Sequence, residues 1–241
     1  MSTQPQAFVQ PESLNEVHTR ARFVAARQTS RGIESAQGEL LARACPINAL
    51  DEDAGDAFVQ WLESSVQTER SETSAHAKAA AIVIRSGWKQ PTHDDLSDAP
   101  LWLPSTRAQW LGFVQRAEAA CVRANLTLVL HPRATDVVSD TPGMLSAVRS
   151  SSRLRVLLDP AALLTEGMRA QWDDHAKRYA QLAEGLLAMR ALFGVLVPKG
   201  ELASASFEKG LEVLSAEVAQ EKPTHGAASM NDLSLPVVYR I

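Results

Sequence analysis

Six polar residues stand at or just beyond the ends of short apolar runs: Arg85, His131, Arg133, Asp159, Lys199 and Arg240. Four are cations, one is an imidazole and one is a carboxylate. A cationic group of this kind holds a phosphate or carboxylate through charge-assisted hydrogen bonds, and arginine does so with a planar fork. An imidazole and a carboxylate are the side chains most used for moving protons. Each residue also has a plain structural reading. Arg and Lys at strand ends form ordinary ion pairs with nearby loops. His131, followed by Pro132, can cap a strand by hydrogen bonding, and Asp159-Pro160 is turn chemistry, because aspartate accepts backbone N–H groups there.

The runs that carry these residues are regular. Ala80–Arg85, rich in β-branched residues, and Leu126–Leu130, Leu154–Leu158, Phe193–Val197 and Leu235–Tyr239 are short apolar runs, and each is closed by a polar or proline-containing step. Helical spacing falls between them, over Thr106–Ala124, Thr141–Val148, Met168–Leu192 and Ser204–Gln220. Strands apolar on both faces are buried on both faces, which predicts a parallel sheet covered by helices. A barrel and an open doubly wound sheet both satisfy the pattern. In a barrel, the C-terminal strand ends carry the chemistry.

The N-terminal third is less regular. Residues 1–13 are polar and contain proline, and are expected to form a flexible arm ahead of a single domain over 14–241. Helical spacing predicts a helix over Leu14–Gln28, started by a capping box at Ser13 and Glu16 and stopped at Gly32. Ile33–Ile47 fits strand or helix. A further helix is expected over Ala54–Ala79, with Phe58, Trp61, Leu62 and Val66 on one face.

Composition narrows the function classes. The formal charge of −4 and the absence of a long Lys/Arg run argue against nucleic acid as a partner. No stretch approaches the apolar length of a membrane span and no secretory leader is evident, so the cytoplasm is the expected location. Cys45 and Cys121 lie far apart without a CxxC motif and read as reduced, partly buried thiols. There is no GxGxxG after a strand, no GxxxxGK[ST], no G-x-S-x-G and no HExxH. His93-Asp94-Asp95 reads as a solvated loop, and Asp173-Asp174-His175 as helix surface. Trp88 and Trp102 flank a long loop that they either close over a pocket or anchor to the core.

The run Ala124–Pro132, then Val137–Pro142, then Leu154–Pro160 resembles xylose-isomerase-like TIM barrels, the family of sugar-phosphate isomerases, epimerases and type IV endonucleases. The resemblance spans about Ala80 to Ile241. It implies a (β/α)8 barrel, or an irregular or incomplete version of one. It also implies isomerisation or epimerisation of a sugar or sugar phosphate. His131 and Asp159 would then handle the proton, and Arg85, Arg133, Lys199 and Arg240 would hold the anion of an enediolate. The family's metal ligands are mostly replaced: His131 stands where a Glu is usual, and Ala162 where Asp159 would be followed by His. No cofactor is therefore expected, with a divalent metal left open. The alternative is a non-catalytic barrel that binds a small anion or a partner protein. Self-association is also left open.

Overall fold

In the computed structural model, the described residues are 22–29, 32–35, 40–71, 80–88, 101, 103–198, 202, 204, 207–211 and 237–240. Among the described residues, eight strands close into a barrel in sequence order: β1 (Arg22–Thr29), β2 (Gly32–Ser35), β3 (Leu40–Ala44), β4 (Ala81–Ile84), β5 (Thr127–Leu130), β6 (Arg155–Leu158), β7 (Leu192–Val197) and β8 (Val237–Arg240). The strand β1 pairs with β8 in parallel and closes the ring. From β3 through β8 to β1, all neighbours are parallel. The exception is β2, antiparallel to both β1 and β3.

The helices lie between successive strands of the parallel part. They are α1 (Ala54–Ser71), α2 (Pro104–Ala124), α3 (Thr141–Ser150), α4 (Pro160–Leu163), α5 (Glu166–Arg169) and α6 (Trp172–Ala188). A further helical stretch covers residues 207–211. The chain is an irregular, TIM-barrel-like α/β fold of mostly parallel strands with helices alongside. The apolar runs and helical spacings predict the parallel α/β class, and of the two architectures they allow the barrel is the one formed.

Two apolar cores follow from the pleat. Alternate strand residues point to opposite faces. Ile33, Ala42, Ala81, Val83, Val129, Leu157, Phe193 and Leu196 pack together in the barrel interior. The intervening Ile82, Ile84, Leu128, Leu130, Val156 and Leu158 pack outward against the helices. The strand β7 shifts register against β6 between Val156 and Leu157, and so Phe193 and Leu196 both face inward although they are three residues apart.

The longest helix, α2, shows why these segments are helical. Pro104 opens it, where no N–H partner is needed, and Asn125 ends it in the left-handed region at φ 57°. Its buried face, Thr106, Trp110, Phe113, Val114, Ala117, Ala120 and Cys121, recurs every three to four residues. Phe113 meets Phe58 of α1 edge-on, with centroids 5.7 Å apart.

Three expectations are corrected. The helix over Leu14–Gln28 is not formed in its second half, where Arg22–Thr29 is the strand β1. The strand's hydrogen-bonding partners, β2 and β8, are what hold it extended. Gly32 does not end a helix; it opens β2 at φ 140°, where a Cβ would overlap the Ala42 carbonyl oxygen. The helix over Met168–Leu192 is divided into α5 and α6, and Leu192 already belongs to β7. The segment Ile33–Ile47 contains parts of two strands, β2 and β3. The arm at 1–13, Ser13, Glu16, His93, Asp94, Asp95 and Trp102 lie outside the described residues.

Candidate functional site

The barrel pleat carries three of the six polar residues towards its C-terminal mouth. Val83, Val129 and Leu157 face inward. Arg85, His131 and Asp159 each follow two residues later, in the same alternation.

His131 and Asp159 meet there. The imidazole Nε2 lies 3.1 Å from Asp159 Oδ2, and their side chains are 3% and 13% exposed. Both are fixed from behind. The His131 backbone N–H donates to the Ile84 carbonyl at 2.8 Å, which extends the β4–β5 ladder by one step. Asp159 is the N-cap of α4, with Pro160 at the first helical position, and its Oδ1 accepts from the Ala162 N–H at 3.2 Å. One carboxylate oxygen thus holds a helix and the other holds the imidazole. The loop after β5 also bonds to this turn, through Ala134 N–H to the Ala162 carbonyl at 2.9 Å.

An ionised carboxylate only accepts hydrogen bonds, so Nε2 carries the proton in this contact. The lone pair then resides on Nδ1, which has no hydrogen-bond partner among the described residues. Such an arrangement can orient an imidazole, because an ionised carboxylate at Nε2 selects one ring tautomer.

Arg85 is committed elsewhere. Its Nε and Nη2 donate to both oxygens of Asp136, at 3.0 and 2.5 Å. The Asp136 side chain is fully buried and Arg85 is a quarter exposed. The guanidinium also sits 4.2 Å from the Trp88 ring centroid. Trp88 is anchored in turn. The Asn48 amide accepts from the Trp88 N–H at 3.0 Å and donates to the Trp88 carbonyl at 2.9 Å. Trp88 and Asp136 form an isolated antiparallel bridge, and Ser86 Oγ accepts from the Val138 N–H at 2.8 Å. The stretch 86–88 is therefore stitched between the loop after β3 and the loop after β5. Trp88 anchors its loop, while Trp102 lies outside the described residues.

Of the remaining candidates, Arg133 lies in the loop after β5; the residue is half-buried, and its Nε is buried without an acceptor among the described residues. Arg240 ends β8, in register with Val197 and Ala25. Lys199 lies outside the described residues. Asp173 and Asp174 are exposed and His175 is half-buried at the start of α6, where Asp173 accepts from Ser204 Oγ at 3.3 Å. Sequence reasoning missed Asp136 and Asn48, which carry no motif and look like ordinary loop residues.

Other features lie away from the dyad. A cavity of about 400 Å³ opens between α2 and α3, lined by Arg107, Trp110, Val138, Asp140 and Ser146 among others. Asp140 caps α3 through the Gly143 N–H at 2.7 Å. Cys45 and Cys121 are free thiols, and burial pushes each up to about 12. Among the described residues, no group of three or more His, Cys, Asp or Glu is placed to hold a metal ion. No helix there is long and apolar enough to cross a membrane.

Comparison of the sequence with protein-family models and with curated proteins gives no match. Among solved structures, the chain is similar to a mandelate racemase/muconate lactonizing enzyme-like protein from Rubrobacter xylanophilus DSM 9941. The identity is 13% and the TM-score 0.37, over 92% of this chain and 57% of that one. The chain therefore spans a little over half the length of that neighbour, and a likeness this weak carries no chemistry across. The resemblance to xylose-isomerase-like barrels is not upheld. The structural neighbour that is found carries a different family name.

Proposed function

We propose that the C-terminal mouth of the barrel is an acid–base site in which His131 transfers a proton at carbon and Asp159 holds it in position. The observation that carries this reading is the 3.1 Å contact between His131 Nε2 and Asp159 Oδ2, made by residues at the ends of two different strands. The reaction class that suits one oriented base is isomerisation of a small hydroxy carbonyl compound, sugar phosphates included; epimerisation would need a second proton donor on the opposite face. In a 2-hydroxy carbonyl compound, Nδ1 takes the proton from the hydroxyl-bearing carbon and the electron pair moves into an enediolate. A proton passes between its two oxygens through water, and the imidazolium returns its proton to the former carbonyl carbon on the same face, so that the carbonyl and the hydroxyl exchange places. The step asks for no cofactor.

A second reading is a non-catalytic barrel that binds a small molecule or a partner protein. The 3% exposure of His131 and the engagement of Arg85 by Asp136 favour it, because both reduce what a substrate can touch.

Deuterium uptake separates the two. The full-length protein is incubated in D2O with a panel of small keto acids, hydroxy acids and sugar phosphates, and each compound is read by proton NMR. The catalytic reading expects deuterium beside a carbonyl in at least one compound, with the rate reduced about a hundredfold or more in His131→Gln. No uptake across the panel, or equal uptake by His131→Gln, would contradict it and favour the binding module.

A further inference from the structure

We infer that Arg133 is the anchor for an oxyanion on the ligand of the barrel mouth, a carboxylate or a phosphate, held beside His131. The inference rests on the acid–base reading for its setting, and on an independent observation for its substance. Among the described residues, Arg133 Nε is a buried guanidinium nitrogen without an acceptor, and its guanidinium makes no hydrogen bond or ion pair there.

Arginine keeps its proton at any physiological pH and offers only donors. A buried charged N–H without an acceptor is costly, so such a group calls for an explanation. Four other arginines have partners: Arg85 is held by Asp136, Arg116 by Asp56, Arg107 by Ser146, and Arg155 by the Ser152 carbonyl. Described arginines without one, such as Arg123 and Arg149, are exposed to solvent. The carboxylates in the same loop region are already engaged. Asp136 takes both donors of Arg85, while Asp159 serves His131 and the Ala162 N–H. Among the described residues, the surroundings thus supply Arg133 with no anion.

The placement favours a ligand over an accident of packing. Arg133 follows His131 by two residues. The backbone is pinned on both sides, by the His131 N–H on the Ile84 carbonyl and the Ala134 N–H on the Ala162 carbonyl. The Arg133 carbonyl is itself used, accepting from the Asp136 N–H at 3.1 Å. The segment is therefore held against the turn that Asp159 caps. The Nε edge of a guanidinium presents two parallel N–H groups, one from Nε and one from the neighbouring Nη, a match for two oxygens of one carboxylate or phosphate. The acceptor missing among the described residues is supplied by the ligand, which places its anionic end at Arg133 and its reacting carbon at the imidazole.

The test uses the uniformly ¹⁵N-labelled full chain and follows arginine Nε–H signals by NMR, with that of Arg133 assigned by its loss in Arg133→Lys. Inorganic phosphate and acetate are added separately at constant ionic strength. The expected result is a saturable shift of the Arg133 signal with at least one anion while that of Arg85 stays in place. Binding read at the backbone amides of 131–136 should weaken about tenfold or more in Arg133→Lys. A stronger response to phosphate assigns a phosphate ester, and a stronger response to acetate a carboxylic acid. An Arg133 signal that moves with neither anion, or only in step with exposed Arg123, would overturn the inference and leave a bound water as the acceptor. The His131 ring signals in the same sample report on the dyad separately, so either idea can fail alone.

Discussion

Replacing Arg85 with methionine strands Asp136. The Asp136 side chain is fully buried, and its two oxygens receive Arg85 Nε and Nη2. With the guanidinium gone, one side-chain donor remains, the Thr135 hydroxyl at 3.3 Å. Removing one partner of a buried ion pair costs about 3–5 kcal/mol. Arg85 is a quarter exposed, so water can enter the vacated space, and the expected loss is at the lower end, about 3 kcal/mol. That is roughly a hundredfold in the folding equilibrium. Loss of the guanidinium over Trp88 adds about 0.5–1 kcal/mol. Asp136→Asn should cost less, about 1–2 kcal/mol, because the amide oxygen still accepts one bond. The double variant Arg85→Met/Asp136→Leu should recover much of the loss, since no charge is then left buried. Urea unfolding followed by tryptophan fluorescence measures all four proteins. The reasoning is refuted if Arg85→Met lies within about 0.5 kcal/mol of the parent, a size typical of unengaged surface positions, or if the double variant is no more stable than Arg85→Met.

Gly32→Ala should disrupt the β2–β3 pairing, because Gly32 has φ 140° and a Cβ would overlap the Ala42 carbonyl; a loss of about 3 kcal/mol or more is expected in urea unfolding. Asn48→Ala removes two hydrogen bonds to the Trp88 backbone and should cost about 2 kcal/mol, with a red shift of tryptophan emission as the 86–88 stretch loosens. The thiols give a pH prediction. Burial pushes Cys45 and Cys121 up to about 12 from 9.0, so the folded state holds these protons more tightly than the unfolded chain. Their contribution to stability is complete below pH 9 and is lost as pH rises towards 12. The native protein should therefore leave both thiols unreactive to Ellman's reagent at neutral pH, and denaturant should expose both; native reaction would contradict the burial.

Much of the barrel is legible in the sequence because its parallel strands are buried on both faces. The apolar residues of β4, β5, β6 and β7 stand out between polar loops, and each helix from α1 to α3 shows its buried stripe. The strands β1 and β2 are not legible for a physical reason. The residues Phe23, Val24, Ala25 and Ala26 suit a helix locally, and only pairing with β8, from the other end of the chain, and with β2 settles the strand. Gly32 looks like a helix stop when the close approach of the Ala42 carbonyl is unknown. At the site, the period-2 alternation is enough to place His131 and Asp159 at one end of the barrel. Their contact with each other needs the neighbouring positions of β5 and β6. The engagement of Arg85 was not legible because Asp136 lies in a loop whose path follows from the Ser86–Val138 and Trp88–Asp136 contacts. Asp159 answers to both of its sequence readings, capping α4 with one oxygen and meeting His131 with the other.

The dyad itself is tested most directly by long-range ¹H–¹⁵N NMR of the His131 ring, in the parent protein and in Asp159→Asn. The account predicts a single neutral tautomer in the parent, with the proton on Nε2 and the lone pair on Nδ1, and loss of that preference in the variant. A proton on Nδ1, or the same mixture of tautomers in both proteins, would show that Asp159 does not orient His131 and would contradict the acid–base site.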